Sequence, residues 1–405
     1  MRRVVMMFAV CLLFLSGCGG QESHDRTNIV LLNGGGTTEG DNQVIREIYK
    51  DFEIENPDIK LDLISMPSPE NAKAKLKKMI SVGKMPNLVY IGEVSIDTLY
   101  SFMVDQGYVV DIMPYIQEDK EFREMISQEN MNRWKTEEGK LYTVTDVLNT
   151  GGYWYNKQIF KNAGIKNVPE TWEEFLECCS RICQWRKEKY LNTIPVHMDA
   201  ATAATILQSG VSCNDLKGVQ ETEMFRMLKL LKKIAAYTDI EKSYTHQDTL
   251  RSFNVGHCAI YIGEIVDAHE MNPNLQMGYA VLPGMDGKDV GFISSYPGYF
   301  IGSSCDEKQK EACIRFLKYM LSERVQSRIW KETGHIPSNP NVDIPKISDV
   351  NEVCYQSYKE LMDADRIQEL PDNCWGDKKI EIFKDNIFKY LSGEITEKEF
   401  YWLMK

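Results

Sequence analysis

The chain is poor in the residues that catalysis and metal binding draw on. It has six histidines in 405 residues, and His269-Glu270 opens a zinc-type motif that Pro273 breaks where the second histidine is needed. Gly-x-Ser-x-Gly and Gly-x-x-x-x-Gly-Lys-Ser/Thr are both missing, so the sequence offers neither a nucleophile elbow nor a phosphate loop. The glycines Gly34 to Gly36 are followed by no Gly-Lys-Ser/Thr and so make no phosphate cradle. There is no Cys-x-x-Cys pair either, and a tetrahedral metal needs about four ligands, so no metal or cofactor is expected. Positive charge is scarce too. Against 59 Asp and Glu stand 47 Lys and Arg, a net charge of -12 that disfavours nucleic acid, which is bound mainly through Lys and Arg on phosphates. Beyond the N-terminus no apolar run approaches the ~20 residues that cross a bilayer.

The N-terminus is where the sequence is most specific. Arg2 and Arg3 precede an apolar run from Val4 to Leu15, and Leu15-Ser16-Gly17-Cys18 follows. Twelve residues are too short to span a membrane but suit the apolar core of an export signal. The small pair before Cys18 resembles the lipobox of bacterial lipoprotein signals, which implies that residues 1–17 are removed and Cys18 carries lipid. The other reading is a plain secretory signal with an incidental cysteine. On the lipobox reading, 18–27 is the lipidated cysteine and a polar tether, and the rest faces outward from the bacterial cell membrane. Loss of Arg2 and Arg3 takes the net charge to -14. Nine cysteines remain, an odd number scattered through a large chain, which reads as buried thiols rather than a disulfide framework.

The first 110 residues alternate between strand and helix patterns. Asn28–Leu32, Ile59–Ile64 and Asn87–Ile91 read as strands, and Val44, Ile45, Ile48, Tyr49 and Phe52 repeat at helical spacing, as does Ala72 to Val82. Such alternation predicts an α/β fold with a parallel sheet covered on both faces, and ligands at the carboxyl ends of its strands. Trp172 to Tyr237 is mostly helical by pattern, Met277–Gly284 and Val290–Ile301 are β, Glu307–Leu321 is an amphipathic helix, and a helical tail runs from Asp349 to the end.

Several ordered blocks resemble the family 1 extracellular solute-binding proteins, the maltose-binding-like receptors of ABC sugar importers. They are Phe52-Glu-Ile-Glu-Asn-Pro-Asp-Ile59, Tyr153-Trp-Tyr-Asn-Lys-Gln-Ile-Phe-Lys-Asn-Ala-Gly164 with Pro169-Glu-Thr-Trp-Glu-Glu-Phe175, Phe253 to Gly263, Gly278 to Gly284, Glu311 to Tyr319 and Thr333 to Pro337. The resemblance implies a two-lobed, type II periplasmic-binding-protein-like clamp: lobe I at 28–145 plus 281–321, lobe II at 146–280 plus 322–405, with hinge crossovers between. It implies a monomeric receptor that closes on a small solute, a sugar or oligosaccharide, and hands it to ABC permease transmembrane subunits. A receptor of the same fold for a non-sugar solute is one alternative. A membrane-tethered carbohydrate-active hydrolase is another, since a carboxylate pair leaves no signature of spacing.

The chain departs from the family at Pro86-Asn87, where an aspartate is usual, at Val144 in place of a proline, and at Ile265, where a tryptophan is common. If the ligand is a sugar, another aromatic must cover its apolar face. Loops after strands and crossovers supply the candidate ligand contacts: Gly36, Thr37, Glu93, Asp146, Asn149, Asp199, Glu264, Tyr296, Tyr299, His335 and Trp375. Tyr296, Tyr299 and Trp375 are the candidate stacking faces, while Trp172 reads as core.

Overall fold

A computed structural model describes residues 26–34, 39–67, 69–90, 96–189, 191–211, 216–238, 245–348 and 350–405. Gly36, Thr37, Glu93 and Cys18 lie outside the described residues, as do the signal segment and most of the tether. The strands, in chain order, are β1 (Thr27–Asn33), β2 (Ile59–Ser65), β3 (Leu88–Tyr90), β4 (Val147–Asn156), β5 (Ile194–Val196), β6 (Cys258–Glu264), β7 (Met277–Ala280), β8 (Leu282–Pro283), β9 (Asp289–Ser294), β10 (Phe300–Ile301), β11 (Ile336–Pro337) and β12 (Arg366–Glu369).

Four of them form one sheet in the order β10-β3-β1-β2, with β1, β2 and β3 parallel and β10 antiparallel to β3. The period of two in the apolar residues decides which face each serves. Ile29, Leu31 and Leu88 pack with Ile48 and Phe52 of the helix Glu39–Glu55 and with Phe316 of the helix Glu307–Leu321. Leu32 and Val89 point the other way, onto Leu76 of the helix Pro69–Ser81 and Leu99 and Met103 of Ile96–Asp105. The helix Glu39–Glu55 stops at Asn56-Pro57, as a proline one residue on requires. Glu307–Leu321 begins at Asp306, which exchanges a reciprocal capping box with Gln309.

The second sheet runs β12-β9-β4-β6-β5, with β11 and β7 pairing along β4 and β8 pairing with β9. Here β5, β6, β9 and β12 all run in one direction, and β4 and the short β8 run against them. Tyr153 and Tyr155 of β4 enter a core with the helices Trp172–Lys189, Ala200–Ser209, Glu221–Ala235 and Asp377–Ser392. Trp154, between them, enters the opposite core with Phe253, Tyr261 and Tyr279. Trp172 is buried against Phe175, a core position as its sequence context predicts.

The lobe boundaries are displaced from those expected at 281 and 321. β8 and β9 hydrogen-bond within the second sheet, so the return crossover comes after Ser294. The helix Glu323–Thr333 buries Val325 and Ile329 in the first core, and its Arg328 bridges Glu47 and Asp51 at 2.8 Å each. It ends at Gly334, whose left-handed φ of 74° lets the chain turn back toward β11. The tail is also interrupted by β12, which pairs with β9 at the edge of the second sheet rather than continuing as helix. Among the described residues, Cys178, Cys179, Cys258, Cys305, Cys313 and Cys354 are buried thiols, and Cys183 and Cys374 are half-buried thiols.

Candidate functional site

The strand directions bring one set of loops together. β5, β6, β9 and β12 all end at the edge of the second sheet where β4 begins, and their loops carry Asp199, Glu264, Tyr296 and Asp372. In the first sheet, β1, β2 and β3 likewise end on the side where β10 begins, so the crossovers 142–147, 294–300 and 334–338 run between the two carboxyl-end edges. That is the crevice in which open α/β sheets hold their ligands.

Each acidic side chain on the second sheet's wall is set by local structure. Asp199 caps the helix Ala200–Ser209, its Oδ1 accepting from the Thr202 amide at 2.6 Å. Glu264 caps the short turn Ile265–His269 in a reciprocal box with Asp267, and its carboxylate accepts from Asn149 Nδ2. Asp267 in turn accepts from the Tyr261 hydroxyl at 2.9 Å and the Glu264 amide at 2.8 Å, with His246 Nε2 3.0 Å away. Gly263 makes this layering possible: a Cβ there would stand 2.4 Å from the Tyr261 ring and 2.6 Å from Asp267 Oδ2. Asp199, Glu264, His246 and Asp372 line a depression of about 60 Å³ floored by Gly151 and Leu370. Its wall contains three carboxylates and no lysine or arginine, so it suits hydroxyl and other hydrogen-bond donors and disfavours anions. A larger depression of about 650 Å³ opens at the other end of β4, beside Lys157, Met271 and Leu275. The smaller one lies at the carboxyl ends of β5, β6 and β12, so we place the site there.

The crossovers are laced to one another. The Gly298 amide donates to the Val144 carbonyl at 3.1 Å, the Ser338 hydroxyl to the Asp146 carbonyl at 2.7 Å, and the Thr143 hydroxyl to the Tyr299 carbonyl at 3.2 Å. Only glycine fits at 298, since a Cβ would lie 2.4 Å from the Val144 carbonyl oxygen. Asp146 is buried in this knot, and loss of hydration pushes its carboxyl up to about 7, although the backbone amides of Asp146 and Val147 pull the other way. The same burial raises the Tyr49 and Tyr299 phenols, whose oxygens meet at 2.8 Å. Outside the knot, Arg133 of the helix Gln128–Trp134 forms a two-pronged pair with Glu369 at the end of β12, one arm at 2.8 Å. This pair ties the two sheets' edges together.

The sequence-derived candidates divide accordingly. Asp199, Glu264 and Asn149 come together on one wall. Asp146 and His335 sit in crossovers, and Tyr296 is half-buried in the crossover between β9 and β10. Tyr299 and Trp375 are corrected as stacking faces, because both are spent in cores. Tyr299 is 3% exposed, stacked on Tyr90 at 4.7 Å and edge-on to Phe316 at 5.1 Å. Trp375, 5% exposed, donates its indole N–H to Gln208 Oε1 at 2.7 Å and packs edge-on to Phe383. Sequence reasoning missed His246, Asp372, and the Arg133–Glu369 pair. His246 follows the helix-start signal Thr245…Asp248, and Asp372 follows Pro371, but nothing local says that both face Glu264.

The profile of the bacterial extracellular solute-binding proteins matches residues 47–353. The multiple sugar-binding protein of Streptococcus mutans is 32% identical over 317 residues, which is 72% of this chain and 70% of that one. A putative binding protein of Brucella abortus is 24% identical over 309 residues, covering 72% of each. Among solved structures, a chitin oligosaccharide binding protein superposes with a TM-score of 0.77 at 17% identity, covering 94% of this chain and 97% of that one. A Streptococcus pneumoniae solute-binding protein in complex with the blood group A-trisaccharide gives 0.74 at 20% identity, over 93% and 98%. At those identities the likeness is one of fold.

Proposed function

Since the chain belongs to the bacterial extracellular solute-binding proteins, we propose that it captures a sugar or oligosaccharide between its two lobes and passes it to the transmembrane subunits of an ABC importer. The observation that carries the reading is the wall of Asp199, Glu264 and Asp372 at the carboxyl ends of the parallel strands β5, β6 and β12. Carboxylates accept from neighbouring sugar hydroxyls, and the Asn149 and His246 contacts hold the wall in place before ligand arrives. The Streptococcus mutans relative supports a sugar over other solutes. With Tyr299 and Trp375 packed inside, the stacking role passes to the half-buried Tyr296 and to Tyr90, at the end of β3, whose ring rests on Tyr299.

A ligand that touches both lobes binds the closed arrangement better and shifts the population toward it. No bond is made or broken in this cycle, and the protein acts as a receptor rather than an enzyme. Cys18, in the lipobox-like Leu15-Ser16-Gly17-Cys18, is the anchor in this reading, carrying at least two acyl chains because one gives only marginal membrane attachment.

The test is calorimetric titration with a panel of oligosaccharides, beside amines and peptides, with turnover monitored in parallel. Saturable binding of an oligosaccharide, unchanged on recovery and weakened at least tenfold in Glu264→Ala, is the expected result. Binding of only a non-sugar solute, or release of shortened sugar, overturns the reading.

A further inference from the structure

A feature that sugar binding does not use lies at the edge of the first sheet. Cys305, at the turn before the helix Glu307–Leu321, and Cys313, two turns into that helix, both direct their thiols at one carbonyl. Cys305 Sγ donates to the Asn87 oxygen at 3.7 Å and Cys313 Sγ donates to the same oxygen at 3.6 Å. The two sulfurs thus flank one carbonyl oxygen. Asn87 Nδ2 donates to Cys305 Sγ at 3.3 Å, while its Oδ1 accepts from the Val30 amide at 2.8 Å. Position 87 is where the resembling family usually has aspartate. A carboxylate could accept from Val30 as well as the amide does, but it could not donate to the sulfur. Cys313 is fully buried and Cys305 nearly so, though Cys305 adjoins the exposed residues Ser303, Ser304 and Asp306.

We propose that Cys305 and Cys313 form a redox-active dithiol pair that closes to a disulfide by exchange with a small-molecule disulfide, with Asn87 as the positioning residue. In the first step the Cys305 thiolate attacks one sulfur of the small disulfide, forming a mixed disulfide and releasing one thiolate. In the second, Cys313 attacks the Cys305 sulfur, forming the internal S–S bond and releasing the second small thiol. Two protein thiols are oxidised by two electrons, the small disulfide is reduced to two thiols, and the two protons leave with those thiols. Cys305 is suited to attack first. Once Cys305 ionises, the Cys313 thiol is placed to turn from the Asn87 oxygen toward it, and with the Asn87 amide this outweighs burial and brings Cys305 down to about 7, whereas Cys313 is held above the ordinary thiol range. Cys178, Cys179 and Cys258 are held up by burial, which at Cys258 outweighs the backbone hydrogen bonds of Ile260 and His197.

The experiment incubates the full reduced chain with oxidised glutathione, quenches in acid, alkylates under denaturing conditions and maps peptides. The expected product is a single internal link between Cys305 and Cys313, lighter by two hydrogens, with Cys178, Cys179, Cys258 and Cys354 still alkylated. Cys313→Ser should instead stop at the glutathione adduct of Cys305. The Cys305 alkylation rate in that variant should rise through a midpoint near neutral pH. Asn87→Asp keeps the acceptor for Val30, so it should fold while moving that midpoint upward and slowing closure severalfold. A stable glutathione adduct at Cys305 in the parent chain, thiols that remain unreacted at both positions, or a midpoint that Asn87→Asp leaves unmoved would each overturn the proposal.

Discussion

Replacing Asp146 by asparagine isolates the cost of burying a carboxylate in the crossover knot. The side chain keeps its size and an oxygen for the backbone amides of Asp146 and Val147, and loses only its charge. In the folded protein the carboxyl binds its proton up to about 7, against an ordinary value of 3.8. A raised acid stabilises the fold most below the ordinary value, where folded and unfolded states are both protonated. As pH climbs from near 4 to near 7 the unfolded chain ionises first, and that stability drains away. At ~1.36 kcal/mol per pH unit the loss comes to about 4 kcal/mol, complete above neutrality. Asp146→Asn escapes it. Urea unfolding of both proteins from pH 4 to 8.5 should therefore give curves that diverge with rising pH, the variant ending about 4 kcal/mol ahead. The titrations of all other groups cancel in the difference. A difference that stays flat across this range would refute the burial of this carboxyl in the knot.

Gly298→Ala places a Cβ 2.4 Å from the Val144 carbonyl oxygen, so it should cost about 1–3 kcal/mol and enlarge the radius of gyration by prising two crossovers apart, read by solution scattering. Trp172→Ala and Trp375→Ala should each lower stability by about 3–5 kcal/mol in urea while calorimetry finds the affinity per folded molecule unchanged, because both rings lie in the second lobe's core. Loss of affinity at full stability in Trp375→Ala would restore it as a ligand face. Arg133→Gln leaves Glu369 without its two-pronged partner, and the ligand-free protein should become more open by scattering, with the opening mimicked in the parent chain by high salt. Cys18→Ala should leave the protein unprocessed or free in the medium, assayed by membrane fractionation and radiolabelled palmitate.

How much was legible in the sequence depended on the range of the interaction. The helix Glu307–Leu321 coincides with its predicted span because its capping box and its apolar stripe are both local. β1 and β2 were readable for the same reason, β1 as a short apolar run and β2 as an alternation with one buried face. The blocks from Phe52 to Pro337 announced the two-lobed clamp, and the strand-end positions of Asp199 and Glu264 could be read because a residue after a strand is at a carboxyl end however the sheet is ordered. What failed was assignment across long separations. β12 carries the ordinary tail sequence Arg366-Ile-Gln-Glu369, and becomes a strand only because β9, 76 residues earlier, offers its edge. Tyr299 and Trp375 look like ligand platforms from their loops. Tyr90 and Phe316, and Gln208 and Phe383, claim them, and no periodicity reports those partners. The sequence by itself determined the local elements and the kind of fold, since each is written in spacing a few residues wide. Only the tertiary structure decided which aromatics are core, which carboxylates share a wall, and that Asp146 lies buried among three crossovers, because burial is a property of the packed whole.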